Sequence, residues 1–186
     1  FGFHSWSGIP PVRQRRTGCG IKLSLLMVVA QSNLKRILTL LRKRNRKIVF
    51  TNGCFDVLHS GHIKYLESAK KRGDILIVGI NSDLSVKKIK GESRPIFSQK
   101  DRAYILSALK AVDYVIIFND TTPLKLIKTI KPDLLVKGGD WSISEIIGGK
   151  FVNSYGGKVV RAPYLKGYST TRVLGRIYDG IKKTKT

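Results

Sequence analysis

Residues 47–83 read "KIVFTNGCFDVLHSGHIKYLESAKKRGDILIVGINSD" and contain the pattern from which the fold class can be predicted. It begins with the apolar run "KIVFT", passes through a motif loop into the helical pattern "GHIKYLESAKKRG", and ends with a second apolar run, "DILIVGIN". Two short apolar runs separated by a helix predict parallel strands that are buried on both faces and joined by a crossover.

The same alternation continues to the end of the chain. A helix over "SQKDRAYILSALKAV", opened by the capping pair Ser98 and Asp101, precedes the apolar run "DYVIIF". Helices around "TPLKLIKTI", near "SEIIGGKFVNSYG" and from about Ser169 alternate with the runs "DLLVK" and "KVVRAP". The pattern predicts a single Rossmann-like α/β domain: a doubly wound parallel sheet of about five strands, in the order 3-2-1-4-5, with helices on both faces.

The composition is that of one folded domain. The chain has 186 residues, of which 42% are hydrophobic, and no apolar run approaches the roughly 20 residues of a membrane span. We therefore expect a soluble protein without a membrane partner. Cys19 and Cys54 are too few for a disulfide framework and lack CxxC spacing, so we expect a reducing, cytoplasmic location.

The formal net charge of +23 is unevenly distributed. Residues 1–55 carry eleven Lys or Arg and no acidic residue, whereas residues 56–186 carry twenty-four Lys or Arg and twelve Asp or Glu. A basic surface attracts nucleic acid, but it equally suits a small anionic substrate, and a solvated surface without function is a third alternative. Composition alone leaves all three open.

The amino-terminal residues differ from the rest of the chain. Residues 1–26 show no sustained period, and we expect a leader-like or non-native extension before Met27, with an organelle transit peptide as the alternative. Residues 27–46 are expected to form an amino-terminal packing helix, and residues 47–186 the α/β domain. The apolar positions of that helix fall on one stripe: Leu34, Ile37, Leu38 and Leu41.

The chemically unusual segments all follow predicted strands. They are the motif loop at 51–62, "NSD" at 81–83, "KGGDW" at 137–141 and "YSTT" at 168–171. The carboxyl ends of parallel strands meet at one edge of the sheet, where ligands bind in such folds. We therefore expect these four segments to form one site.

The motif loop places His59 and His62 across a helix start, with Gly61 allowing close approach to the backbone. Zinc is one alternative, although two imidazoles and Asp56 are fewer ligands than zinc sites usually have. A structural role, with one ring capping the helix and the other packed, is the second. A helix amino terminus with histidine donors also suits phosphate, which is the third.

The segment "GYSTTRV" offers another helix amino terminus with hydroxyl groups, although helix capping alone also favours Ser or Thr there. Two such termini facing one cleft indicate a polyphosphate ligand. The chain has neither a GxxxxGK[ST] loop nor a GxGxxG fingerprint, so the sequence predicts neither a P-loop enzyme nor a dinucleotide site of that type.

"TNGCFDVLHSGHIKYLESAKKRGDILIVGINSD", with "YSTT" downstream, resembles the HxGH nucleotidyltransferase superfamily, which includes cytidylyltransferases, pantetheine-phosphate adenylyltransferase and sugar-phosphate adenylyltransferases. "IKGESRPIFSQKDRAYILSALKAVDYVIIF" and "KPDLLVKGGDWSISEIIGGKFV" resemble, more narrowly, the heptose 1-phosphate adenylyltransferases of lipopolysaccharide core synthesis. The resemblance covers about residues 46–180, so that residues 47–186 would be the nucleotidyltransferase domain.

The resemblance implies a reaction and a set of site residues. A sugar 1-phosphate would attack the α-phosphorus of ATP and expel pyrophosphate, with Mg²⁺ on the phosphates and no metal held by protein ligands alone. The implied catalytic donors are His59, His62, Lys88 and Lys90. The implied nucleotide-binding residues are Thr51, Asn52, Gly53, Cys54, Phe55, Gly61, Lys137, Gly138, Asp140, Ser169, Thr170 and Thr171. The implied substrate-binding residues are Asp56, Asn81, Asp83, Arg94 and Arg102.

Several alternatives stay open. Lys137, Gly138 and Asp140 also suit a plain turn, and Arg102 also suits a surface position. Glycerol-phosphate cytidylyltransferases commonly carry RTEGIST before the last helix, where this chain has "YLKGYST", so ATP is favoured and CTP is the rival. An inactive nucleotide- or nucleic-acid-binding protein is the rival of another class, and we expect no nucleic-acid partner. As further partners we expect a separate heptose kinase chain and a second copy of this chain, with which it would form a homodimer.

Overall fold

The computed structural model describes residues 28–138, 145–162 and 170–183. Their strands form one parallel sheet in the order β3-β2-β1-β4-β5, as predicted. The strands are β1 (Ile48–Gly53), β2 (Ile75–Asn81), β3 (Tyr114–Phe118), β4 (Leu134–Gly138) and β5 (Lys158–Ala162). The chain starts at the centre, winds outward to β3 and then reverses to β4, so that the carboxyl ends of β1 and β4 flank the switch point where ligands bind.

Helices cover both faces of the sheet. They are α1 (Gln31–Lys43), α2 (Ser60–Lys70), α3 (Asp83–Lys90), α4 (Gln99–Ser107), α5 (Leu124–Ile130), α6 (Gly149–Ser154) and α7 (Thr170–Lys183). Successive residues of a strand point to opposite faces, so Ile48 and Phe50 join the apolar cluster under α1 and α5, whereas Val49 joins the cluster under α2 and α4. No helix in the described ranges is long and apolar enough to cross a membrane.

Two predictions from local sequence signals, the cap of α4 and the apolar stripe of α1, are confirmed. Ser98 and Asp101 cap α4 as predicted, because the amide of Asp101 donates to Ser98 Oγ at 3.2 Å. The stripe on α1 is also confirmed, with Leu34, Leu38 and Leu41 buried. The last helix begins at Thr170 among the described residues, and the predicted start at Ser169 lies outside them.

The structure differs from the predicted pattern of elements at two places. Thr51–Gly53, predicted as the start of the motif loop, are the last residues of β1, where they pair with β2. Residues 83–90, for which the sequence predicted neither a helix nor a strand, form α3, which begins where Ser82 Oγ accepts from the amide of Ser85. An eight-residue helix that buries only Ser85 and Val86 shows too little apolar periodicity to be recognised in the sequence.

Candidate active site

The two histidines of the motif form a stacked pair at the start of α2. His59 stands at the N-cap position in extended conformation, and its carbonyl accepts from the amide of His62 at 2.9 Å. Their ring centroids are 3.8 Å apart with planes inclined by 22°, and the ring of Phe55 meets His62 edge-on at 5.4 Å. The spacing of three residues thus brings both imidazoles to one side of the helix start.

The histidine pair is neutral at physiological pH. Burial, assisted by the neighbouring His59, lowers the pKa of His62 to about 4, and burial also lowers the pKa of His59. Nδ1 of His62 is buried without a hydrogen-bond partner in the described part of the chain. A buried polar atom in this state costs free energy, and an anionic ligand that engages it would remove that cost and raise the pKa of the ring.

The low pKa of His62 predicts a pH dependence of stability. Between about pH 4 and 6.5 the unfolded chain binds a proton that the folded chain excludes, so acidification lowers the free energy of unfolding by up to about 1.4 kcal/mol per pH unit. The free energy of unfolding, measured with urea at about pH 7.5 and about pH 5, should therefore fall more on acidification in the wild type than in His62→Gln. Equal losses in the two proteins would contradict the assignment.

Lys137 and Asn52 connect the ends of β4 and β1. Nζ of Lys137 donates to Oδ1 of Asn52 at 2.6 Å and lies 3.5 Å from the carbonyl of Asn52. Burial lowers the pKa of Lys137 to about 8, and Cys54 opposes this shift, so the ammonium is charged at neutral pH. The predicted nucleotide-binding residues Asn52, Cys54 and Lys137 are therefore neighbours, and Lys137 brings a poorly solvated positive charge to this edge.

Tyr65, which sequence reasoning missed, supports the same edge from α2. Its hydroxyl lies 2.5 Å from Oγ1 of Thr51 and donates to the carbonyl of Val136 at 3.1 Å. A Cβ added to Gly138 would stand 3.2 Å from the Tyr65 ring, so close packing against this ring accounts for that glycine. Thr51 is fully buried, so its side chain holds α2 against β1. A tyrosine one turn after His62 gives no sequence signal beyond that of a packing residue.

Arg102, for which the sequence left substrate binding and a surface position open, is buried. Only 1% of it is exposed, so the surface alternative is wrong. Its Nη1 donates to the carbonyl of Cys54 at 2.5 Å, and its Nη2 donates to the carbonyl of Asn81 and to Oδ1 of Asp83, both at 2.8 Å. Nε donates to the carbonyl of Phe97 at 3.0 Å. All four of these hydrogen bonds end on oxygen atoms of the protein.

Asp56 and Arg94, both predicted to bind substrate, pair with each other. Oδ2 of the buried Asp56 lies 2.5 Å from Nη2 of Arg94. Oδ1 accepts from the amides of Ile96 and Phe97 at 2.8 and 3.0 Å. Asp56 therefore fastens the segment after α3 to the motif loop.

The remaining predicted residues lie around this centre. Asn81 is buried and donates to Oγ of Ser85 at 2.9 Å. Burial raises the pKa of the Cys54 thiol, and the positive charge of Lys90 opposes this shift. Exposed or partly exposed positions are held by Gly53, Gly61, Asp83, Lys88, Thr170 and Thr171. Asp140 and Ser169 lie outside the described residues.

The described residues contain no group of three or more His, Cys, Asp or Glu that could hold a metal ion. The zinc alternative for the two histidines therefore finds no third ligand of these types in that part of the chain. Mg²⁺ prefers oxygen ligands and commonly binds through substrate phosphates with few protein contacts. The donors at this edge fit the phosphates that would carry such an ion.

Comparison with known proteins relates this site to a family. Residues 50–176 match the model of the cytidylyltransferase-like family. The chain is 48% identical over 149 residues to the bifunctional protein HldE of Syntrophotalea carbinolica. This match covers 80% of this chain and 30% of that protein. It is 51% identical over 150 residues to HldE of Wolinella succinogenes, covering 81% and 31%. The chain thus spans about 30% of the length of these curated relatives.

A solved structure shows the same likeness. The lipopolysaccharide core biosynthesis protein from Thermoplasma volcanium is 32% identical, with a TM-score of 0.54, and the match covers 67% of this chain and 99% of that one. The motif loop, the four other strands and the start of α7 all lie within the 50–176 match.

Proposed function

This chain belongs to the cytidylyltransferase-like family, and on that premise we propose that it transfers AMP from ATP to a heptose 1-phosphate, giving ADP-heptose and pyrophosphate. The observation that carries the proposal is the stacked, neutral histidine pair at the amino terminus of α2. Nδ1 of His62 is buried, has no hydrogen-bond partner among the residues that the structure describes, and lies next to the positive end of a helix dipole, so it suits a phosphoryl oxygen.

The arrangement supports an in-line displacement without a covalent enzyme intermediate. An oxygen of the sugar phosphate attacks the α-phosphorus, and the bond from that phosphorus to the bridging oxygen of pyrophosphate breaks. Negative charge gathers on the phosphoryl oxygens, so pre-positioned donors are the main catalytic requirement. We assign this role to the histidine pair and to the amides of the α2 start, with Lys88 and Lys90 on α3 adding positive charge.

The nucleotide and its metal follow from the same proposal. Asn52, Gly53, Cys54, Phe55, Lys137 and Gly138 stand at the adjacent ends of β1 and β4, which supports them as the binding surface for the nucleotide. Thr170 and Thr171 at the start of α7, together with the predicted Ser169, are proposed for the leaving phosphates. Mg²⁺ would arrive on the phosphates and offset their charge.

The sugar is proposed from resemblance. The segments around 89–118 and 131–152 resemble heptose 1-phosphate adenylyltransferases, and the solved relative is named as a lipopolysaccharide core biosynthesis protein. The curated relatives are named as bifunctional, which supports a partner activity for this domain, and we propose a sugar kinase that supplies the 1-phosphate. A cytoplasmic location and a homodimer stay predictions.

The proposal predicts a definite substrate pattern. A pyrophosphate-release assay that crosses ATP and CTP with heptose 1-phosphate and glycerol 3-phosphate should give turnover with ATP and the heptose, because the chain departs from the RTEGIST pattern of the cytidylyltransferases. Turnover confined to CTP would overturn the choice of nucleotide. No turnover with any pair, combined with tight binding of RNA or DNA, would favour the inactive binding protein.

A further inference from the structure

Arg102 is a buried cation at the centre of the carboxyl edge of the sheet. It begins on α4, and its guanidinium group reaches four separate points of the chain. These points are the motif loop at Cys54, the end of β2 at Asn81, the first residue of α3 at Asp83, and the segment after α3 at Phe97. Each donor–acceptor distance lies between 2.5 and 3.0 Å.

The contacts compensate for the burial of this charge. A buried guanidinium is costly unless its N–H groups are satisfied, and here four hydrogen bonds, one of them to a carboxylate, replace its water. Three acceptors are backbone carbonyls, so the bonds constrain the path of the main chain rather than the rotamers of side chains. The planar fork of arginine can engage acceptors in several directions at once, which an ammonium cannot do in the same way.

The segments that Arg102 joins carry the groups assigned to phosphate chemistry. Cys54 lies five residues before His59 in the motif loop. Asp83 opens the helix that carries Lys88 and Lys90. The backbone of Phe97 is held at both of its polar groups, because its amide donates to Asp56 and its carbonyl accepts from Arg102.

We propose that Arg102 is a positioning residue that sets the spacing between the histidine loop, α3 and the segment after α3, so that their donors meet on one polyphosphate. This inference rests on the proposed function. It replaces the earlier expectation that Arg102 touches substrate. Direct contact would use donors that face the site, whereas the four contacts of Arg102 end on the protein itself.

The test is Arg102→Lys, which keeps the charge and removes the fork. We expect kcat for pyrophosphate release to fall about 10²-fold, and the Kd for inorganic triphosphate, measured by calorimetry, to rise about tenfold. Both are measured well below the unfolding midpoint of the variant. Addition of guanidinium to Arg102→Ala should restore part of the kcat, whereas methylammonium should not.

A matched control separates positioning from general stability. Arg42 also bridges two backbone carbonyls, those of Ile130 and Lys131 at 2.6 and 2.8 Å, but near the amino end of β4. Arg42→Lys should lower the unfolding midpoint and leave kcat and triphosphate binding within about twofold. If folded Arg102→Lys matches the wild type in both measurements, the inference is overturned while the proposed function stands.

Two further outcomes are also decisive. If the wild type binds triphosphate but releases no pyrophosphate with any substrate pair, the proposed function fails, and the binding comparison still decides the role of Arg102. If Arg102→Lys does not fold, Asp83→Ala removes the partly exposed partner instead. We then expect kcat to fall about tenfold with an unchanged KM for the sugar phosphate. A raised KM with unchanged kcat would mark Asp83 as a direct ligand and refute the positioning role.

Discussion

Replacing His62 by alanine is expected to lower kcat for pyrophosphate release by about 10²-fold to 10³-fold while the protein remains folded. The ring is neutral at pH 7 because burial lowers its pKa to about 4, so in the free protein it offers hydrogen bonds rather than a charge. Its buried Nδ1 is without a partner in the described residues, and the charge that develops on the phosphoryl oxygens supplies one. The loss should fall mainly on kcat, because the contact strengthens in the transition state.

Two variants sharpen this expectation. His62→Asn keeps a polar N–H donor near the same place and should recover part of the lost kcat. Ile63→Ala alters the next residue of α2, which is 39% exposed, and should change kcat by less than about twofold. Near-normal kcat in His62→Ala would return the histidine pair to a structural role.

Replacing Asp56 by alanine is expected to produce the largest loss of stability among these variants, about 3–5 kcal/mol in the free energy of unfolding. The change leaves Arg94, whose side chain is 20% exposed, without its carboxylate. It also removes the acceptor of the amides of Ile96 and Phe97. Unpaired polar groups in a desolvated position cost their full desolvation free energy, which the lost carboxylate had offset.

The control for Asp56 is another aspartate with similar bonds but more solvent. Asp74 accepts from the amide of Lys47 at 2.7 Å and faces Arg46 at 3.9 Å, and its side chain is 43% exposed. Water can replace these contacts, so Asp74→Ala should lower the free energy of unfolding by about 1 kcal/mol or less. The free energy of unfolding of both variants is measured with urea. Equal decreases in the two variants would show that the burial of Asp56 does not increase its contribution to stability.

Much of the fold could be predicted because its signals are local. Each strand is a short apolar run, and the cap of α4 lies within four residues of sequence. The exception is α3, whose eight residues bury too few side chains to show a period. Of the candidate site, the placement of the histidines at a helix start was predictable, since strand, loop and helix follow one another in one stretch.

Local patterning was sufficient to predict the alternation of strands and helices, the edge at which the unusual loops gather, and the three-residue spacing that stacks His59 on His62. The contacts of Asp56, Tyr65 and Arg102, by contrast, became evident only in the folded chain. Arg102 and the carbonyl of Cys54 are 48 residues apart in sequence, and Tyr65 and the carbonyl of Val136 are 71 apart. Periodicity reports which side of an element faces the core, but it carries no record of which distant oxygen a buried polar group meets there. That partner is chosen by the packing of the whole sheet, because a buried donor is stable only where an acceptor is brought to it.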